Sequence, residues 1–387
     1  MKSAFKKLPA NKRPLDIGLI FSVTLCAVIG TLLIFSIASS GVSKVSEDKG
    51  IGSSYWHTQL ISMIIGFILS ILVSRIDYRK ISKLWWIFAP VSLAVVALTF
   101  TSLGITRDGA DDRAWILVFG VSVQPSEIMK IAFIMTFSYH LSKVEEDMNK
   151  PLNMLFLLIH GGIPIGIVAL QGDYGTAIVF AAMFGFMIVS ADISWKYLVA
   201  APFIIAGAVA VMWFNFLDNF HKERILILFK PGTDPENIEY QQDLGIAAIQ
   251  SGGVFGKGLF AGQNEYIYVP ELHNDFIFAH AGQVFGFVGS IGILIVLAYV
   301  CLKIFADSRI TRDRLGRFIC MGAFGMFFIH CVMNIGMVLK VAPVIGVPLP
   351  FISGGGTAMV SMYVIIGLVM STYSYRIVNY NVFYDED

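Results

Sequence analysis

The stretch Leu15–Ile37, LDIGLIFSVTLCAVIGTLLIFSI, follows a basic start from Met1 to Arg13, and its reading decides what kind of chain this is. Ser36-Ile37-Ala38 offers small residues at the spacing of a leader cleavage site, so a secretory signal is one candidate. Length argues against it, because a leader's apolar core runs to about 7–15 residues whereas about 20 are needed to cross a bilayer as a helix. The segment reads as a retained first transmembrane helix spanning 15–38. Further apolar windows lie near 57–75, 84–104, 125–141, 152–170, 176–191, 197–217, 275–304, 317–339 and 357–375, for about ten crossings in all.

Composition agrees. Hydrophobic residues make up 56% of the chain and charged residues 14%, against about 25% charged in ordinary soluble domains, and the mean hydropathy is +0.72. The expectation is an all-α polytopic membrane protein, one transmembrane domain over 1–387, with a long extracytoplasmic loop at 218–274 between helices 7 and 8. A net charge of +1 gives no support to a nucleic-acid partner. Cys26, Cys301, Cys320 and Cys331 all fall in apolar stretches, which suits core packing and indicates neither a disulfide framework nor a thiolate metal site.

Orientation follows from Lys and Arg. Lys2, Lys6, Lys7, Lys12 and Arg13 precede the first span; Arg75, Arg79, Lys80 and Lys83 follow the second; Lys303, Arg309, Arg312, Arg314 and Arg317 separate the eighth from the ninth. By the positive-inside rule these ends and both termini are cytoplasmic. The 105–124 loop, the Gln171 to Gly175 turn, the 218–274 loop and the 340–356 loop then share the outer face, and the unusual motifs all sit there.

Pro270-Glu271-Leu272-His273-Asn274-Asp275 stands directly before Phe276-Ile277-Phe278, where the chain re-enters lipid after its longest water-exposed loop. A carboxylate at that junction is placed to accept a proton; Asp is also a favoured helix N-cap, and both readings stay open. Gln124-Pro125-Ser126-Glu127 has the chemistry of a helix start, with Lys130 at i+3 on the same face, inside an apolar span. Asp173 in Gln171-Gly172-Asp173-Tyr174-Gly175-Thr176 is either a turn residue or a second carboxylate at a helix end. Gly256-Lys257-Gly258 lacks the first Gly and the Ser or Thr of a nucleotide-binding loop, so only Lys257 is kept, as an anion contact. Pro348 to Thr357, with Pro350 and Ser353, is irregular backbone beside a span, tolerated where it is buried in protein or lines a wet cavity. The histidines show no His-x-x-x-His zinc spacing, and His273 is singled out for its place two residues from Asp275.

Together these segments resemble the SEDS family, the RodA/FtsW glycosyltransferases of bacterial cell-wall synthesis. The likeness rests on Gln124 to Glu127 with Lys130, Asp173 with Gly175-Thr176, Tyr240-Gln241, Ser251 to Gly258, Pro270-Glu271 through Asp275-Phe276-Ile277-Phe278, Asn334 to Met337, and Leu349-Pro350-Phe351-Ile352-Ser353. The tail after Thr357 looks more like the RodA branch. Gln283-Val284 in place of a usual acidic pair, Gly354 for Tyr, Gly172 for Pro, Lys340 for Gly and an inserted Ala114 depart from the family pattern.

The resemblance implies an enzyme of the bacterial cytoplasmic membrane that polymerises lipid II into glycan strands at the outer face, for elongation and shape, by inverting transfer. Under it Asp275 is the general base. Lys130 and Arg113 are diphosphate contacts, with Arg224, Lys257, Glu127 and Ser353 completing the substrate-binding set. Asp173, Pro270, Glu271, His273 and Pro350 shape the cavity, with a metal-holding role for Asp173 or Glu127 left open. No cofactor is assigned beyond the option of a divalent cation, Mg or Mn. The implied partners are a class B penicillin-binding protein, a transpeptidase, and other cell-wall assembly proteins. A flippase for lipid-linked sugars and a non-catalytic assembly scaffold are the competing readings.

Overall fold

In lipid no water is available to backbone N–H and C=O groups, so each long apolar run must satisfy them internally as a helix. The computed structural model describes residues 14–42, 54–106, 112–118, 120–215, 217–230, 238–262 and 265–376. Its long helices follow the apolar windows in order: α1 (Ile17–Ser40), α2 (Ser54–Ser74), then after the short amphipathic α3 (Tyr78–Ser82), α4 (Trp85–Ala97), α5 (Pro125–Val144), α6 (Pro151–Leu170), α7 (Tyr174–Ser190) and α8 (Trp195–Asn215). After α9 (Asn219–Leu226) and α10 (Ile238–Ser251) come α11 (Ile277–Ile310), α12 (Arg314–Val338) and α13 (Gly356–Tyr375). Among the described residues seven helices are long and apolar enough to cross a membrane by themselves, and α7 and α4 with its 3₁₀ extension to Phe100 are shorter apolar ones. The tenth, α5, carries Glu127 and Lys130 inside it. The chain is a multi-pass membrane protein.

The 105–124 connection holds more structure than expected. Residues Gly104–Ile105 (β1), Trp115–Val118 (β2) and Val121–Val123 (β3) form a small antiparallel sheet in the order β1-β2-β3. Val118 pairs with Val121, which closes a two-residue hairpin in which Gly120 takes φ 82°. β-branched residues and a left-handed glycine are enough to nucleate such a hairpin at a water-facing surface.

Helices α2 and α13 pack through small residues. A Cβ on Gly367 would lie 2.8 Å from the Ser70 carbonyl oxygen, so only glycine lets these backbones approach so closely. α8 is the opposite case, with none of its residues buried.

The long connection from 218 to 274 is built against the bundle where it is described. Gln242 on α10 donates to the carbonyls of Met337 at 2.8 Å and Ala342 at 3.3 Å, satisfying the C-terminal end of α12. Beyond α10 the chain repairs a break in α11, where Gly286 adopts φ 65°, ψ −164° in mid-helix. Lys257 and Gly258 donate their amides to the carbonyls of Gln283 and Val284 at 2.8 and 3.0 Å. In return, Phe287 and Val288 donate to Gly253 and Val254 at 2.9 and 3.1 Å. Four backbone groups freed by the break are thereby paired, which is what permits non-helical backbone within the bundle. Gly282 and Gly286 are where this loop meets the broken helix.

Basic residues gather at the end of the bundle away from that loop, and they are paired. Arg314 and Arg317 clasp the buried carboxylate of Glu145, Arg79 meets Asp313 at 2.7 Å, and Lys303 bridges Asp16 at 2.6 Å and Asp307 at 3.1 Å. These contacts tie α1, α3, α5, α11 and α12 together at one level.

A methyl group on residue 286 would meet the Gly256 amide nitrogen at 2.3 Å and the Val254 carbonyl oxygen at 2.6 Å, in a left-handed conformation besides. Gly286→Ala is therefore expected to lower stability by about 2–4 kcal/mol. Gly292→Ala on the same helix, where a Cβ meets nothing within 4 Å, should change it little. Thermal unfolding of the two detergent-purified variants checks the pair.

Candidate active site

At the end of the bundle opposite the ion-paired one, a cavity of about 900 Å³ opens between the loops. Asp275, Glu127, Lys130, Asp173, Arg224, Pro270, Glu271 and His273 all line it. Residues scattered over nearly 150 positions of sequence are thus brought to one wall.

The loop that carries Asp275 is irregular, and its carbonyls are met one by one. Gln241 donates to the Pro270 carbonyl at 3.0 Å. The Asn274 and Phe276 amides donate to that of Glu271, at 3.0 and 3.2 Å. Gly354 N donates to His273 O at 2.9 Å, Ser353 Oγ to Asn274 O at 2.7 Å, and Asn334 Nδ2 to Asp275 O at 2.9 Å. Glu271 holds φ 54°, a conformation that costs a residue with a Cβ roughly 1–2 kcal/mol. With its backbone held from α10, α12 and the 349–354 turn, Asp275 sits half-buried, its carboxylate on the cavity wall. The first helical residue after it is Ile277, with Phe276 at the cap position, so Asp275 is not the N-cap. Gly346, at φ 67°, is the close neighbour of the carboxylate: a Cβ there would stand 3.6 Å from Oδ2.

Deeper in the cavity lie Lys130 and Glu127. Pro125 at the first turn of α5 sets the helix start, and three residues' spacing puts the two side chains on one face. Lys130 Nζ is 2.6 Å from Glu127 Oε1, and Ser361 on α13 donates to Oε2 at 2.5 Å. Both groups are almost wholly buried, at 1% and 3% exposure, and one of the ammonium's three donors is used by the carboxylate. Asp173 caps α7 by accepting from the Thr176 amide at 2.9 Å and also accepts from Gln124 Nε2 at 2.9 Å. Burial holds its carboxyl above the ordinary carboxylate range, with the Thr176 bond pulling the other way.

Three expected contacts lie off the wall. Arg113 is exposed and spends its guanidinium on the carbonyls of Gly104 and Thr101, at 3.0 and 2.9 Å, clamping the small sheet. Lys257 donates to the Glu265 carbonyl within its own loop. Ser353, besides holding Asn274, accepts from the Leu349 amide at 2.8 Å, and it is buried with Pro350 in the turn behind the cavity. Arg224 on α9 does reach the wall and donates to Val344 O at 3.3 Å.

Sequence reasoning assigned no role to two polar residues one turn apart on α12, one of them noted only within the Asn334 to Met337 segment. His330 lines the cavity, with Nδ1 3.0 Å from the Pro348 carbonyl oxygen, and Asn334 reaches both Asp275 O and Val347 O. Their i, i+4 spacing inside an apolar span was the available signal. Among the described residues no three His, Cys, Asp or Glu side chains converge.

The sequence from 17 to 377 matches the FtsW/RodA/SpoVE family, described as cell cycle protein. This chain belongs to that family. Among its relatives is the peptidoglycan glycosyltransferase MrdB of Escherichia coli K12, 28% identical over 376 residues, 96% of each chain. The probable peptidoglycan glycosyltransferase FtsW of Bacillus subtilis 168 is 29% identical over 373 residues, 92% of this chain and 89% of that one. Among solved structures, a chain of a peptidoglycan synthase complex superposes with TM-score 0.78 at 23% identity, over 94% of this chain and 99% of that one. The Rod shape determining protein RodA of Thermus thermophilus gives 0.68 at 22% identity, over 95% and 100%. Two departures from the FtsW/RodA pattern gain a structural account. Lys340 holds φ 60°, the conformation that suits the family's usual glycine, and its ammonium pairs with Asp243. Gln283, fully buried, both accepts from the Ile267 amide at 2.7 Å and donates to its carbonyl at 3.1 Å, a pairing that an ionised acid could only half make.

Removing one member of a buried ion pair strands the other, so Lys130→Met alone should cost about 3–5 kcal/mol. The double change Lys130→Met with Glu127→Gln is expected to recover most of that loss. A double-mutant cycle on unfolding midpoints measures the difference.

Proposed function

We propose that this chain is a peptidoglycan glycosyltransferase that joins lipid II molecules into glycan strands. The observation that carries the reading is the Asp275 carboxylate on the wall of the cavity that also holds Lys130 and Arg224. A sugar hydroxyl is a weak nucleophile at neutral pH, and Asp275 takes its proton as the oxygen attacks the anomeric carbon of a second lipid-linked sugar. One displacement at that carbon inverts it, and the bond to the diphosphate breaks with both electrons going to the departing phosphate oxygen. The charge gathered there is met by the Lys130 ammonium and the Arg224 guanidinium. A divalent cation, where bound, would draw most of its ligands from the diphosphate and water; no step is assigned to it. Glu127 and Asp173 keep Lys130 and the start of α7 in place.

The arrangement of basic residues supports a cavity on the extracytoplasmic side, with both termini in the cytoplasm. The family relatives named as peptidoglycan glycosyltransferases support the activity, and the RodA-like tail supports a role in elongation and shape. A neighbour in fold comes from a synthase complex described as coordinating polymerization and crosslinking, which supports a class B penicillin-binding protein as partner. A flippase would need its polar groups reachable from both faces, whereas these gather at one end.

Asp275→Asn keeps the hydrogen bonds of its backbone and takes away the basicity of its side chain. Purified Asp275→Asn is expected to unfold with the wild type and to polymerise labelled lipid II at least about 100-fold more slowly, with or without the transpeptidase. Arg224→Gln should lower turnover at saturating substrate, because the charge it meets grows as the diphosphate departs. Wild-type rates from the first variant would remove the base assignment.

A further inference from the structure

We infer that a second pocket, between α4, α5 and α6 and apart from the Asp275 cavity, binds one acyl chain of a glycerophospholipid, with the ester carbonyl on His140 and the phosphate toward Lys143. The pocket holds about 400 Å³, within the range of small-molecule sites. Its walls are apolar apart from Ser92 of α4, Thr136 and His140 of α5, and His160 of α6. On the α6 side Phe156, Ile159 and Ile163 are about half exposed. Since α6 is long and apolar enough to span a membrane, the mouth of the pocket opens onto lipid hydrocarbon, and lipid is what fills it. Histidines at such a depth call for a functional account.

The polar groups form a line that ends at an open nitrogen. Thr136 Oγ1 is 3.2 Å from His160 Nε2, nearer than the 3.5 Å to the Phe133 carbonyl oxygen, and His160 Nδ1 is 3.0 Å from His140 Nδ1. With the threonine hydrogen directed at His160, the donors run from Thr136 to His160 to His140, and His140 Nε2 bears an N–H. Among the described residues Nε2 meets no hydrogen-bond partner, and the half-buried ring leaves it exposed surface. An N–H facing hydrocarbon without an acceptor is unfavourable, and an ester carbonyl is an acceptor. His140 stands one turn from the end of α5 at Val144, about 6 Å along the axis. Next to Val144 is the Glu145 that Arg314 and Arg317 clasp, so His140 lies near the level where headgroups begin. Three residues on, along the same face, Lys143 is exposed, its ammonium 5.5 Å from the centre of the Tyr139 ring. In the other direction the pocket reaches Met129, about 16 Å deeper. Cation, N–H donor and apolar slot thus follow one another in the order of phosphate, ester and chain in a glycerophospholipid. A polyprenyl phosphate has the first and the last without the carbonyl.

Photolabelling tests the assignment by where the label lands. The full-length protein, in micelles of a maltoside detergent that has neither ester nor phosphate, is titrated with phosphatidylglycerol carrying a diazirine on one acyl chain, irradiated, and its labelled peptides are identified by mass spectrometry. α8, none of whose residues is buried, reports chance contact with lipid. Labelling around Phe133, Phe156 and Ile159 is expected to exceed that of α8 at least about fivefold, and to fall to the α8 level in Ala89→Phe, which fills the space from α4. His140→Leu keeps an apolar wall and loses the N–H, so it should need about fivefold more lipid for half-maximal labelling, and Lys143→Gln should show a loss of similar size. Equal labelling of the pocket and α8 in the wild type overturns the inference whatever the variants do, so it stays testable where Ala89→Phe fails to fold. Wild-type labelling in an Ala89→Phe protein that unfolds at the wild-type midpoint overturns it as well. An unchanged titration in His140→Leu, or displacement of the label by a polyprenyl phosphate more readily than by unlabelled phosphatidylglycerol, overturns the ester contact and the glycerophospholipid with it. Because the readout is binding, the result is independent of the glycosyl-transfer reading.

Discussion

The backbone carbonyls of residues 270–275 are the constraint around which this protein is organised. An irregular segment at the edge of a membrane bundle exposes acceptors that lipid cannot satisfy. Here the donors come from α10 through Gln241, from α12 through Asn334, and from the 349–354 turn through Ser353 and Gly354. Three elements distant in sequence are fastened to one short loop. The backbone of Asp275 is thereby fixed in place and its carboxylate with it, which is how pre-organised groups are usually held.

The same accounting explains the break in α11. A long helix interrupted at Gly286 would strand its carbonyls and amides, yet the chain from Gly253 to Gly258 folds alongside and exchanges four hydrogen bonds with it. That loop therefore works as structure, and Lys257 within it is turned to a carbonyl of its own segment. Gln283 extends the arrangement by pairing both ways with Ile267.

The spans were legible in the sequence because lipid imposes a demand that a single run of residues must meet alone. Charges inside or beside those runs were legible for the same reason, which is why Lys130, Glu127, Asp173 and Asp275 were found and do share a wall. Arg113 and Lys257 look equivalent on paper. Their side chains are consumed by nearby carbonyls, and nothing local announces that a cation will meet its own fold instead of a ligand. His330 escaped notice, and Asn334 and Gln283 were seen only as letters of a family pattern with no role, since neutral polar side chains in an apolar run barely alter its hydropathy. The kink at Gly286 was hidden because a glycine that allows helices to touch and a glycine that breaks one are the same letter.

The ion-paired end of the bundle and the loop that carries Asp275 are stitched by different forces. Away from the cavity, α1, α3, α5, α11 and α12 are joined by carboxylates and cations, part of them exposed. Around Asp275 the fastenings are uncharged amide, hydroxyl and carbonyl groups. Mobile ions and charged lipid headgroups act on the first kind and barely on the second. A shift in electrolyte or in leaflet composition can thus loosen one rim of the molecule while the short loop under Asp275 keeps its shape.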